Sequence, residues 1–393
     1  MCDSMPLLLN FDSKSKSIYA KDQSTKDILA SGCFGVMKDG ALMLAPEEGL
    51  YLMDVRNATC TSAKDEKPLA FNEIAQEFSA GKKFLARYFT YKDWRDRGLI
   101  IKRPDDVPSD DGAAQPIKSY RAAKLKLKNY SMDGIFFPAD MITIIDDEEQ
   151  GKKIYEEYWF GQYGTYKTND HGVLNKLDVY ETLFLIDSNV LRVKNCSRSE
   201  IVEFATKRRS DFQKLYDVYR DWRSRGYVIK TGFKFGTHFR IYFPGAQPMK
   251  KDESWVHSRH VIHVFPRDTK LLISEWARVI RVAHSVRKTF ILAIPGKSRK
   301  KRLSIDFVLY HRKGNGIETP GTGHPRFAML SLGEEEYIGG SELSAIINDA
   351  SEHKLELIIA IADRETAVTY YRVKRIELQG SDYEYYEIDW LQP

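Results

Sequence analysis

The sequence predicts a mixed α/β protein assembled from repeated small sheet-and-helix domains. Three observations point there. The chain has 393 residues, 42% hydrophobic and 29% charged, which suits roughly two to four soluble domains that bury cores without disulfides. Segments of it recur at fixed offsets. Within each recurring segment, a helical apolar stripe is followed by a β-branched run, so helix and strand alternate.

The first repeat has an offset of 128 residues: "DWRDRGLIIK" (93–102) and "DWRSRGYVIK" (221–230) agree at seven of ten positions. Upstream, Phe84, Tyr88 and Tyr91 correspond to Phe212, Tyr216 and Tyr219. Their spacing makes the apolar face of an amphipathic helix, so these aromatics are read as core. Gly98 and Gly226 should end the helices before a strand. The second repeat, at an offset of 67, matches "SEWARVIRVAHSVRKTFILAI" (274–294) with "SELSAIINDASEHKLELIIAI" (341–361). Both read as helix then buried strand. His257 falls opposite His324, whereas Lys288 falls opposite Leu355.

These repeats set an organisation. Residues 1–108 form a degenerate amino-terminal half-unit and 109–124 a polar linker. Residues 125–245 and 246–313 form the two halves of an intact unit, and 314–325, rich in glycine and proline, are a second linker. Residues 326–393 form a last half-unit. The outer pieces read as the front and back of one degenerate copy wrapped around an intact one, as duplication followed by loss would leave.

Cys2, Cys33, Cys60 and Cys196 are scattered, which fits reduced thiols in a cytoplasmic protein rather than zinc or redox pairs. No apolar run reaches membrane-spanning length, and "LELIIAIA" (355–362) suits a buried strand. "MCDSMPLLLNFD" at the start lacks a basic leader, so no secretory signal is expected. The net charge of +5 is modest, but "GKSRKKR" (296–302) gathers five Lys or Arg in six positions. That is either a solvated loop or a phosphate-binding footprint.

"WVHSRHVIHVF" (255–265) spaces His257, His260 and His263 at intervals of three. As a strand it separates His257 from His263 by roughly 20 Å, and a helix also fails to gather all three, so no shared metal is expected. In "TGFKFGTHFRIYF" (231–243), Gly232 and Gly236 bend two strands together. Neither this stretch nor "PGKS" (295–298) has phosphate-loop spacing, so nucleotide binding is not expected.

The run "YRDWRSRGYVIKTGFKFGTHFRIYF", then "VHSRHVIHV", then "RVIRVAHSVRKTFILAI", resembles the catalytic subunit of archaeal tRNA-splicing endonucleases across about 110 residues. The resemblance implies a catalytic set of Tyr242, His257 and Lys288 and a bulge–helix–bulge precursor tRNA as substrate. Cutting RNA through its own 2′-hydroxyl needs a base, an acid for the leaving 5′-oxygen and a cation near the pentavalent phosphate. In the family these are tyrosine, histidine and lysine, with no metal or other cofactor, giving 2′,3′-cyclic phosphate and 5′-hydroxyl ends. Lys288 close to Tyr242 would favour the phenolate. His260 and His263 are read as structural. His238 belongs to the strand before Tyr242, and His284 could line the site.

The resemblance also implies that Arg281, two helical turns before Lys288 and so on nearly the same face, clamps a bulged base by cation–π stacking. Its partner arginine is Arg302 as a candidate, because "GKSRKKRLSIDF" leaves the register open. Leu355 cannot supply the charge of Lys288, so the last half-unit should not cleave, and His324 stands without a matching tyrosine or lysine. Its role would be assembly, through a loop carrying Asp363 and Glu365 that Arg364 interrupts. Two chains would then supply the family's four units as a homodimer. The stretch 151–172 departs from the family and is rich in aromatics and lysine. Lys167, Lys152 and Lys153 are either extra RNA contacts or parts of a solvated loop over an aromatic core. The rival functions are a non-catalytic RNA-binding scaffold subunit and a metal-dependent nuclease.

Overall fold

A computed structural model describes residues 6–81, 83–107, 116–127, 130–166, 171–249, 255–296, 305–314 and 316–393. Residues 8–69 carry a six-stranded sheet and residues 132–193 a five-stranded one. The largest sheet has eleven strands. In chain order they are β1 (Ile101–Lys102), β2 (Lys118–Tyr120), β3 (Val228–Thr231), β4 (Phe239–Tyr242), β5 (His260–Val264), β6 (Thr289–Ile294), β7 (Phe307–Leu309), β8 (Phe327–Gly333), β9 (Glu356–Ala362), β10 (Val368–Leu378) and β11 (Glu384–Leu391). Across the sheet the order is β3-β4-β5-β6-β11-β10-β9-β8-β7-β1, with β2 beside β10. No helix among the described residues is long and apolar enough to cross a membrane.

The repeated sequences fold into repeated elements. Helices α1 (Phe84–Asp96), α3 (Phe212–Ser224), α4 (Ile273–Ser285) and α5 (Gly340–Glu352) occupy the four expected places, and α2 (Glu148–Tyr158) lies between the first two. The aromatic stripes of α1 and α3 are buried, as is the tryptophan of each "DWR". Gly98 and Gly226 take φ of +76° and +82°, the left-handed turn that lets the chain reverse into β1 and β3. At Gly226 a side chain would also meet the Ala123 carbonyl at 2.9 Å.

The halves of the large sheet are related by a pseudo-two-fold axis between β10 and β11. Val373 pairs with Ile388 at that axis. On one side the Tyr370 hydroxyl donates to Asp93 at 2.6 Å, and on the other Tyr385 donates to Asp221 at 2.6 Å. Trp94 and Trp222 pack edge-on against these tyrosines, at 5.4 and 5.2 Å. One core joins residues 9–101 to Phe307, Leu309, Met329, Ile358 and Tyr370. Another joins residues 120–241 to Ile262, Ile291 and Tyr385. Helices α4 and α5 cover a third core on the sheet between them. Two segments thus sit apart from their neighbours in sequence: β7, within 246–313, pairs with β1 and β8, and β11, within 326–393, pairs with β6.

Candidate active site

Three strand ends build the site. Tyr242 closes β4, His257 precedes β5 and Lys288 precedes β6. Antiparallel pairing sets Ile241 against His260, parallel pairing sets His260 against Thr289, and the Thr289 amide donates to the Arg259 carbonyl at 2.9 Å. All three side chains therefore start from the same end of adjacent strands. Helix α4 stops at Ser285 and Arg287 takes φ of +53°, which turns the chain into β6. Lys288 is consequently not on the helical face of Arg281, and the two-turn spacing expected from sequence does not apply.

Tyr242 and His257 line one cavity of about 540 Å³, together with Tyr155, Trp159, Arg240 and Phe235. The phenol is nearly enclosed, with 4% of Tyr242 exposed, and its ring lies 4.6 Å from that of Trp159. His257 is exposed and Lys288 half-buried. The Lys288 ammonium crosses the Phe235 ring at 4.6 Å and donates to both Ser258 oxygens, at 2.5 Å to the carbonyl and 3.1 Å to Oγ. The Ser258 side chain also lies near enough to the Tyr242 phenol to act against the rise in its pKa. Buried Ser258, unremarkable in the sequence, therefore neighbours both the tyrosine and the lysine.

Burial raises the Tyr242 pKa, against the expectation that Lys288 would lower it. The aromatic wall removes water from the phenolate, and this outweighs the pull of Arg240 and of Ser258. Arg240 is the nearby cation, its guanidinium 5.9 Å from the ring centre. Lys288 is itself lowered, by burial first and by Arg240 second. A less tightly held proton goes with an ammonium kept out of bulk water.

The remaining predicted residues are not gathered here. Arg281 is exposed on α4 and does not line the cavity. His284 meets the Ile388 carbonyl at 3.0 Å. His260 packs against Tyr120 and Phe243, while His263 stacks with His238 at 4.5 Å, so the three histidines do not converge on one ion. The segment 151–172 does reach the site, but through Tyr155, Trp159 and Tyr166. Lys152 and Lys153 lie on the exposed face of α2, the latter 5.6 Å from the Tyr130 ring. Lys167 and Arg302 lie outside the described residues. Asp363 accepts from the Glu365 and Ala367 amides and so shapes its own loop, Arg364 pairs with Glu334 and Glu335, and Glu365 is exposed.

In the second copy the register corrects one expectation. Val228 pairs with Tyr242, and the repeat equivalent of Val228 is Ile100. The Tyr310 amide donates to the Ile100 carbonyl, so Tyr310 stands where Tyr242 stands. His324 therefore does have a matching tyrosine; what the copy lacks is the lysine, replaced by Leu355.

Residues 212–305 match the tRNA intron endonuclease catalytic C-terminal domain, and residues 11–75 match the N-terminal domain of the same family. The tRNA-splicing endonuclease of Methanopyrus kandleri is 36% identical over 166 residues, covering 41% of this chain and 86% of that protein. That of Methanococcoides burtonii is 34% identical over 338 residues, covering 70% and 93%. The Methanosarcina mazei enzyme of the same name is 25% identical over 350 residues, covering 73% and 95%. With its strand ends arranged as described and relatives matching along most of its length, the chain belongs to the tRNA-splicing endonuclease family and carries that family's catalytic domain.

Proposed function

We infer that this chain excises introns from precursor tRNA by cutting both strands of a bulge–helix–bulge fold, without a metal. Tyr242 takes the proton of the 2′-hydroxyl, whose oxygen then attacks the adjacent phosphorus. His257 gives a proton to the departing 5′-oxygen, and Lys288 sits against the charge that builds on the phosphate. The bond to the 5′-oxygen breaks as the bond to the 2′-oxygen forms, so the ends are a 2′,3′-cyclic phosphate and a 5′-hydroxyl. Nucleophile and leaving group both belong to the RNA.

The observation that carries this reading is the tie between the three groups. Tyr242 and His257 share a cavity, and Lys288, held by Ser258, the residue after His257, starts from the same sheet end. Burial keeps the resting phenol protonated, so the base is the minor phenolate form that Arg240 favours, its own proton having passed to solvent. Support for one degenerate copy wrapped around an active one comes from the core that unites residues 9–101 with β7, β8 and β9. Two such chains complete the family's set of four units as a homodimer, with Asp363 and Glu365 on the joining loop.

The test is to incubate pure protein with an intron-containing transcript in excess chelator and analyse the cut ends. Two cuts with cyclic-phosphate ends are expected, and His257→Ala should slow them by about 10² to 10⁴. Activity that vanishes with chelator, or appears only after a second protein is added, would overturn the proposal.

A further inference from the structure

Where the active copy holds Lys288 the other copy holds Leu355, and the surroundings have changed character. Leu355 borders a cleft of about 570 Å³ lined by Lys118, Arg326, Lys354, Arg372, Lys374 and Arg375 against two carboxylates, Glu356 and Glu387. This cleft is the counterpart of the ground around Lys288. The Glu356 amide donates to the Arg326 carbonyl as the Thr289 amide does to that of Arg259. Lys354 and Arg287 both take left-handed backbone, with φ of +59° and +53°. Arg326 and Lys354 thus preserve the basic character of Arg259 and Arg287, whereas the catalytic lysine position has become apolar.

Four of these six cations are braced by carboxylates. Arg326 rests on Glu318 at 2.7 Å and Lys118 on Glu387 at 2.6 Å. Arg372 and Lys374 share Asp389, at 3.4 and 3.2 Å, and Arg375 is exposed. Basic groups held at fixed places in a concave surface focus positive potential and lose little freedom on binding. Their spread over two strands and a helix end exceeds what one phosphate needs. Ile347, Leu355 and Leu357 add apolar wall suited to ribose. The cleft's Glu387 pairs with Ile291, three residues beyond Lys288, yet the cleft and the Tyr242 cavity share no lining residue, so the two are neighbouring but separate.

We propose that this cleft holds the sugar–phosphate backbone of the RNA substrate, away from the scissile bond, as a binding subsite with no chemistry of its own. Its ligand class rests on the endonuclease reading, so the test separates the two. Binding of a precursor tRNA transcript, made 2′-deoxy at the cut positions so that it cannot be cleaved, is followed by filter retention across salt concentrations. The double variant Lys354→Gln/Arg375→Gln should flatten the log–log salt slope by about 1.4 to 1.8, for two lost phosphate contacts. The single-turnover rate on unmodified RNA at saturating enzyme should not change.

If the double variant melts early, the exposed single variant Arg375→Gln is read instead, with an expected loss of about 0.7 to 0.9 in slope. An unchanged slope in a chain that still cuts overturns the cleft proposal alone. Loss of self-association on sedimentation would make the cleft a contact between copies and overturns it too. A chain that binds the blocked RNA with the expected slope change yet never cuts supports the cleft and sinks the active-site reading alone.

Discussion

Ser258 shows how much of the site rests on one small side chain. It receives the Lys288 ammonium on two oxygens and favours the Tyr242 phenolate. A hydrogen bond to a charged group is worth about 1.5 to 3 kcal/mol, so Ser258→Ala should slow single-turnover cleavage roughly 10- to 100-fold. KM should barely move, and Ser258→Thr should restore most of the rate; an equal fall in both variants would assign Ser258 a packing role instead. Tyr242, His257 and Lys288 were legible only through the resemblance, since each alone is an ordinary strand or loop residue. Ser258 and Arg240 carried no signal, because their contacts come from strands that meet only in the fold. The direction of the Tyr242 shift was missed for a related reason: the wall that desolvates the phenol comes from Tyr155 and Trp159, about 85 residues upstream.

Among elements, the two copies reuse one buried device. Lys230 pairs with Glu181 at 2.5 Å, and its repeat partner Lys102 pairs with Glu48 at 3.2 Å. Each glutamate stands at the third position of a helix, Val179–Asp187 and Pro46–Val55, and also accepts from a backbone amide at that helix start. The pair ties the end of β3 or β1 to the domain before it. Glu181→Ala leaves a buried, uncompensated ammonium and should cost about 3 to 5 kcal/mol in urea unfolding. A loss under 1 kcal/mol would show that the lysine finds water. The helices, their glycine stops and the strands after them were readable because those signals are local. Partnerships such as Lys102 with Glu48 were not, since nothing in a periodic pattern says which distant carboxylate a lysine will meet.

At the scale of the whole molecule, the order of the chain and the order of the sheet disagree. The sequence divides into an intact unit between two halves, yet β7 joins the outer pair and β11 joins the middle. Neither strand was read from the sequence, because both lie outside the repeated segments that carried the helix-then-strand signal. The expected assembly is a dimer with two catalytic cavities, one from each chain. Equilibrium sedimentation should return twice the chain mass, and Glu365→Lys on the exposed loop should weaken the association about tenfold or more, as reversal of a paired charge costs on the order of 1 to 3 kcal/mol. A monomer at working concentration would remove the dimer from the account.

The crossing of β11 has one more consequence. It follows every other strand of the sheet in chain order, and β6, just after Lys288, has no partner on that side until it arrives. During synthesis the nuclease half of the chain therefore emerges with an open edge, and residues 384–391 must be made before the hydroxyl of Tyr385 can reach Asp221. Nascent chains not yet extended through β11 would be held short of a closed sheet by topology alone.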